Sequence, residues 1–422
     1  MKKNEHFLTT DRLLYGPWQS FERDVARLLM HNGFSDVRVV GKSGDKGADI
    51  LATNANGLWA IQCKHTTSSF PPRSALDEAV NAGEYYQADN LMVASSRPPG
   101  DAFLRKRAEY GRLGVKIKIC APAQLLKLAD VGSKYSSSQK SLRKYQQTAV
   151  DSFYNALVDT GRGQIVLATG LGKTVVMAST VQALFENGQL PSRRVLVLSH
   201  MRELVNQLHQ SFWAQVSKGI PTHQLSEGEF PSFWDGITFA TFQSAISNHT
   251  ALPAFDLILV DEAHHIGAGT FKEIIERIAP PMIGGVTATP WRGDGYSIDE
   301  VLGPSVCSVG IAEGLAKGFL SEVDYRVYAD NLDWDYVQEA SEHNYSLKQL
   351  NKRLLIPTRD EEAAEIISSL FSSTNRKSGI IFSPSIEHAR QFSSQLRQAG
   401  LSCEVIASEV DKRELSLRMM QF

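Results

Sequence analysis

Two short stretches of this chain carry the residue types that phosphate chemistry demands. LATGLGKT (Leu167–Thr174) runs from an apolar strand, Ile165 to Leu167, into a glycine-bearing turn and then Lys173-Thr174 at the head of an apolar helix. Small residues in such a turn let successive backbone N–H groups converge on phosphate oxygens. Thr169, Gly170 and Gly172 would form that cradle, Lys173 would reach the β- and γ-phosphates, and the Thr174 hydroxyl would ligate magnesium. About ninety residues later LILVDEAHH (Leu257–His265) is an apolar strand delivering Asp261 and Glu262 at its carboxyl end. One carboxylate suits the metal and its neighbour suits an attacking water, with Glu262 as base. A Gly-Lys-Thr turn alone is a moderate signal, since Leu167 stands where the strict pattern has glycine. A strand-borne Asp-Glu at this distance removes most of the ambiguity.

A second constellation lies near the amino terminus. Asp49 ends up on one expected strand and Gln62-Cys63-Lys64 on the next, joined by the turn around Asn54 to Gly57. Residues 49, 62 and 64 can therefore point to one edge, with Glu22 on the preceding helix. Such a set can hydrolyse a phosphodiester: Asp49 would hold a divalent metal, and Lys64 would stabilise charge on the reacting phosphate or orient the nucleophile. The plain alternative, an Asp and a Lys meeting on a half-buried hairpin, carries about equal weight from these residues alone. His65 reads as a polar strand end. Adjacent His264 and His265 face opposite ways on a strand and do not make a metal pair.

The elements that would position these groups are legible. Phe21, Val25, Leu28 and Leu29 share one helical face, and Gly33 stops that helix. Strands are expected at DVRVVG, ADILAT and LWAIQCK, then a helix from Ser74 to Gln87, a strand from Leu91 to Ser95 and a basic helix from Asp101 to Tyr110. A strand from Val115 to Cys120 and a helix from Pro122 to Ala129 complete a mixed-sheet α/β domain over residues 1–131. Serine-rich residues 132–140 read as a linker. Residues 141–328 alternate strand and helix as a parallel sheet requires, with a loop-rich stretch from Gly284 to Gly303 and a departing strand from Val323 to Tyr328. A connector, 329–360, leads to a second, incomplete lobe over 361–422.

The motor half resembles the superfamily 2 helicases of DEAH type, the restriction-enzyme motors in particular. LRKYQQTAV looks like the glutamine motif, implying that Gln146 reads adenine. VLVLSHMRELVNQ, FATFQS, GVTATP and SGIIFSPSIEHARQF look like motifs Ia, Ib, III and IV in order. The resemblance implies RecA-like lobes with ATP bound between them, His264 linking hydrolysis to the other lobe, and Thr287 and Thr289 coupling nucleotide state to strand binding. GDKGADILAT with AIQCK resembles the Mrr-type branch of PD-(D/E)XK restriction endonucleases, in which glutamine replaces the second carboxylate, as Gln62 would here. That implies one firmly held magnesium, with the Cys63 carbonyl as an extra ligand. Motifs V and VI do not occur before Phe422, so truncation and slow ATP turnover are expected.

Composition narrows the class. At 422 residues the chain exceeds one core. No run of about 18 apolar residues and no secretory leader is present, so a cytoplasmic site is expected. Four scattered cysteines exclude a disulfide scaffold or zinc module. Residues 1–140 hold 20 basic against 14 acidic side chains, in a chain of net charge −2, so a polyanionic partner suits the front segment. The expectation is an ATP-hydrolysing helicase or translocase fused to a magnesium-dependent deoxyribonuclease. It would act on double-stranded DNA in antiphage defence, with defence partner proteins. The alternatives are a repair or remodelling translocase whose front domain only binds DNA, and an ATP-switched scaffold.

Overall fold

The computed structural model describes residues 5–40, 47–226, 228–263, 268–288, 298–328, 356–374, 378–410, 414 and 418. His264, His265 and Thr289 lie outside them. The chain divides into two compact units, Met1–Glu322 and Val323–Phe422.

The first unit opens with α1 (Thr10–Leu14), which the sequence reading did not anticipate, and α2 (Trp18–His31), ended by Gly33 at φ 81°. Then follow β1 (Ser35–Val39), β2 (Ile50–Asn54), β3 (Gly57–Lys64), α3 (Ser74–Tyr86), β4 (Asn90–Ser95), α4 (Asp101–Arg112), β5 (Ile117–Cys120) and α5 (Pro122–Val131). The five strands lie in sequence order, β1 to β3 antiparallel and β3 to β5 parallel, which is the mixed sheet expected.

The chain continues through α6 (Lys144–Thr160), β6 (Arg162–Leu167), α7 (Lys173–Glu186), β7 (Arg194–Ser199), α8 (Arg202–Gln215), β8 (Thr222–Leu225), β9 (Gly236–Thr241) and α9 (Phe242–Ser247). It ends with β10 (Leu257–Asp261), α10 (Ala268–Ile278), β11 (Met282–Thr287), α11 (Asp299–Leu302), β12 (Ser305–Val309) and α12 (Ile311–Ala316). All seven strands are parallel, in the order β12-β6-β11-β10-β7-β9-β8. Helices cover both faces, so the central strands are buried on both sides, and runs such as LILV and VLVLS are apolar throughout. This is the doubly wound sheet of a RecA-like lobe. The stretch from Gly284 is β11 before it is loop, because Val286 and Thr287 pair with Ile165 and Val166 of β6.

One expectation fails at the start of the second unit. Residues 323–328 form no strand; Val323, Tyr325 and Val327 are 70, 83 and 75 % exposed and pair with no strand among the described residues. Residues 378–384 are likewise irregular, with Phe382 fully open. Helix α13 (Ile356–Ser373) starts inside the expected connector, and α14 (Ile386–Gln398) packs on it through Ala364, Phe392 and Leu396.

Residues 132–140 are a fastened strap, not a loose tether. Ser133 N donates to the His31 carbonyl (2.9 Å), Lys218 N donates to the Lys134 carbonyl (2.8 Å), and Gln215 bonds Lys140 through both ends of its amide. The strap crosses a buried seam. Arg27 of α2, 0 % exposed, donates to the Ser217 and Ile220 carbonyls (2.9 and 2.7 Å) and lies over the Phe7 ring. In return Lys218, from the same turn, donates to the Ala129, Asp130 and Gly132 carbonyls (2.7, 3.1 and 2.6 Å) at the end of α5. Trp213 of α8 is buried in the hydrophobic core of the mixed-sheet half. Burial of the Arg27 guanidinium pushes it down to about 9, against the attraction of Asp24.

Candidate active sites

The mixed sheet brings the first set together. Ile50 pairs with Ile61, so Asp49 stands opposite Gln62, and Gln62 and Lys64 share its face of β3. Asp49 is 5 % exposed, and its Oδ2 accepts from Gln62 Nε2 and from Cys63 N, both at 2.6 Å. The other end of the Gln62 amide, Oε1, is buried with no hydrogen-bond partner among the described residues. Glu22 of α2 is 7 % exposed and so is not a solvated helix-surface charge. Its effect is felt at Cys63: burial pushes that thiol well up, and the charges of Asp49 and then Glu22 push it further. Cys63 therefore stays a neutral thiol. His65 packs against the Phe21 ring at 5.7 Å, in keeping with a strand-end role.

Lys64 already has a partner. Its Nζ is 2.5 Å from Glu78 Oε2, on α3. Glu78 escaped the sequence reading. The one trace of it is Gly47, at φ 93°, where a Cβ would sit 2.0 Å from the Glu78 carbonyl. Only glycine lets the strand approach α3 so closely there.

Among the described residues no group of three or more His, Cys, Asp and Glu side chains is arranged to hold a metal. The donor set at the first site is instead one carboxylate, Asp49, with the orphaned amide oxygen of Gln62 and the Cys63 carbonyl. Hard oxygen donors of this kind fit a magnesium-sized cation that keeps several waters.

The parallel sheet builds the second set at the carboxyl ends of β6, β10 and β11. Between β6 and α7 the turn passes through Gly170 (φ 88°) and Gly172 (φ 85°), with Thr169 and Gly170 exposed. Gln146 of α6 lies beneath it. Its Nε2 donates to the Leu171 carbonyl, its Oε1 accepts from Arg143 N, and the Tyr145 hydroxyl donates to the same Leu171 carbonyl, all at 2.9 Å. A Cβ on Gly172 would sit 2.5 Å from Gln146 Nε2. Gln146, 7 % exposed, thus braces the turn and leaves one amide N–H for a base. Phe319, beyond α12, stacks on Tyr145 with ring centres 4.3 Å apart, and Arg143 donates to its carbonyl (2.9 Å). Neither aromatic was expected here.

Lys173 heads α7 and pairs with Glu262 Oε1 at 3.0 Å. The other oxygen of Glu262 accepts from Ala288 N at 3.4 Å, just after β11. Glu262 adopts φ 50°, a left-handed conformation that costs a non-glycine residue on the order of 1–2 kcal/mol. Asp261, at the end of β10, is pushed up to about 6 by burial, with Glu262 adding and Lys173 opposing. A buried carboxylate so placed is relieved by a cation, and the Thr174 hydroxyl on the first turn of α7 is a second oxygen for it. Thr287 is fully buried at the end of β11.

Residues 15–110 match the restriction endonuclease family, and residues 139–292 match the family described as Type III restriction enzyme, res subunit. A 51.5 kDa protein of a Lactococcus phage (isolate 7-9) is 25% identical over 268 residues, covering 60% of this chain and 50% of its own. The DNA 3'-5' translocase XPB2 of Sulfurisphaera tokodaii is 30% identical over 179 residues, 42% of this chain and 37% of its own. Among solved structures, the DNA-bound ATP-dependent Type ISP restriction-modification enzyme LlaBIII aligns over 93% of this chain and 31% of its own, with TM-score 0.46 and 18% identity. The chain spans half or less of the curated relatives it matches most strongly. It carries an Mrr-type endonuclease domain followed by a helicase domain.

Proposed function

Starting from a chain that carries an endonuclease domain ahead of a helicase domain, we propose an ATP-driven translocase that cuts double-stranded DNA and restricts foreign DNA. The observation that carries this reading is one compact unit holding both sets: Asp49, Gln62 and Lys64 on one sheet face, and Lys173 paired with Glu262.

At the first site Asp49, the Cys63 carbonyl and the Gln62 amide would hold a divalent cation, which supplies Lewis acidity at the scissile phosphate when bound. Gln62 must then turn its amide, so that Oε1 and not Nε2 faces the Asp49 carboxylate. Lys64 exchanges the Glu78 carboxylate for a phosphate oxygen and stabilises the charge that builds there as water adds and the alcohol leaves. Glu22 adds negative potential beside the same donors. At the second site Thr169, Gly170, Gly172 and Lys173 would cradle the triphosphate, and Thr174 with Asp261 would hold magnesium. Lys173 moves from Glu262 to phosphate, which frees Glu262 to orient and deprotonate water. Gln146 would offer its remaining N–H to adenine. Thr287, with Thr289 and His264, would relay the nucleotide state to the DNA-binding surface.

A second reading has a specific observation behind it: Lys64 is neutralised by Glu78, and Gln62 stands where a carboxylate would strengthen metal binding. On that reading the front domain binds DNA without cutting it. Incubating plasmid with the protein, magnesium and ATP separates them. Cleavage that disappears in Lys64→Ala while ATP hydrolysis persists supports the nuclease; no cleavage by the unaltered chain at any divalent cation sinks it. Glu78→Gln should preserve cleavage and lower KM for DNA.

A further inference from the structure

We infer that the face between α3 and α4 is a phosphodiester-backbone channel that grips DNA beside the Lys64 site. An open groove of about 680 Å³ lies there, lined by Arg73, Ser74, Ala102, Arg105, Lys106 and Glu109. This resting place for DNA presupposes the nuclease reading of Asp49 and Lys64, but its chemistry is separate.

Three features of the groove point to a polyanion. First, Arg73 and Arg105 are exposed, and neither has a hydrogen-bond or ion-pair partner among the described residues. Second, the third cation is used differently. Lys106 pairs with Asp77 on α3, and the Tyr110 hydroxyl donates to the same carboxylate at 2.5 Å. That triad ties α4 to α3 and fixes the gap across which the two unpaired guanidinium groups stand. Guanidinium groups match phosphate oxygens in a bidentate fork. Third, an exposed aromatic ring packs on Gly100, two residues before Ala102 of the groove lining: Phe70 is 56 % exposed, and a Cβ on Gly100 would meet its ring at 3.0 Å. Unpaired cations beside an exposed ring are the combination that holds nucleic acid strands.

Position connects the groove to the reactive lysine. Glu78, which pairs with Lys64, and Ser74, which lines the groove, are one turn apart on α3. Arg73 stands five residues before Glu78, about 7 Å along the helix axis. A phosphate held at Lys64 therefore leaves a neighbouring phosphate of the same strand beside Arg73.

The test is the salt dependence of duplex DNA binding by the full chain, followed by fluorescence anisotropy. Each phosphate contact contributes about 0.9 to the slope of log K against log salt. Arg73→Ala with Arg105→Ala should lower the slope by about 1.8, and should raise KM for cleavage without changing kcat. Lys116→Ala, exposed on the same domain but outside the groove, should leave the slope unchanged. An unchanged slope in the double variant overturns the channel, as does an equal fall for Lys116→Ala, which would mean a diffuse field. An acidic protein segment as the true occupant would also appear as an unchanged slope. If the unaltered chain binds DNA but never cuts it, the nuclease reading fails while the slope still decides the groove.

Discussion

Replacing Arg27 by methionine tests whether the two halves of the first unit are one folded body. The guanidinium is fully buried and supplies charge-assisted hydrogen bonds to the Ser217 and Ile220 carbonyls. Such bonds contribute about 1.5–3 kcal/mol each, and removing the buried charged partner costs about 3–5 kcal/mol because the acceptors stay behind. Burying the charge is itself unfavourable, as the downward push on Arg27 records, so the lower end of that range is the better guess. About 3 kcal/mol, set against an unfolding entropy of about 2.1 cal/mol/K per residue over Met1–Glu322, should lower Tm by roughly 4–5 °C in calorimetry of the full chain. Lys218→Met should act on the same turn, so the double variant should lose less than the sum of the two by about 0.5 kcal/mol or more. Limited proteolysis should also open residues 132–140 in either variant. A Tm within about 2 °C of the original, or strict additivity, would refute the idea of a shared grip.

Gly172→Ala forces a left-handed alanine and drives its Cβ against Gln146, so ATP binding measured by calorimetry should weaken about tenfold, the equivalent of roughly 1–2 kcal/mol. Adding Gln146→Ala should restore part of that loss, and no recovery would place the cause in the backbone alone. Acidification should destabilise the first unit. Burial pushes His31 down to about 3 and His223 down to about 4, with Arg27 and Arg12 respectively adding to it, and holds His209 well below its usual range. The unfolded chain thus binds more protons than the folded one between about pH 4 and pH 6.5, and up to about 1.4 kcal/mol per pH unit and histidine is lost as pH falls through that window. Asp24 and Asp261 work the other way: burial pushes each up to about 6, so their protonation favours the folded state in acid. Three histidines outweigh two carboxylates, and a Tm that holds steady from about pH 7 to about pH 5 would contradict the assignment.

Much of this architecture was readable because doubly buried strands are written as unbroken apolar runs. Val195 to Leu198 and Leu257 to Val260 leave little alternative to a parallel sheet, and the motifs sit at their ends. Strand β12 was missed because SVCSV is half polar and sits at the sheet edge. The Asp49–Gln62–Lys64 face followed from strand alternation alone. Glu78 did not: its pairing with Lys64 depends on how α3 lies on β3, and no period links residues 14 apart. Arg27 was equally silent, since a charge opposite the apolar stripe of α2 reads as solvated until α8 covers it. The same pattern misled in reverse at residues 323–328, where alternation suggested a strand but no adjoining edge among the described residues completes it.

The indole of Trp213 belongs by chain position to the helicase half and by packing to the endonuclease half. The two cannot be exchanged like beads on a string. Anyone transplanting the front domain onto another helicase domain would have to carry α8 and the turn after it along, or redesign the buried face around Phe7, Leu8 and Trp213 to live in water.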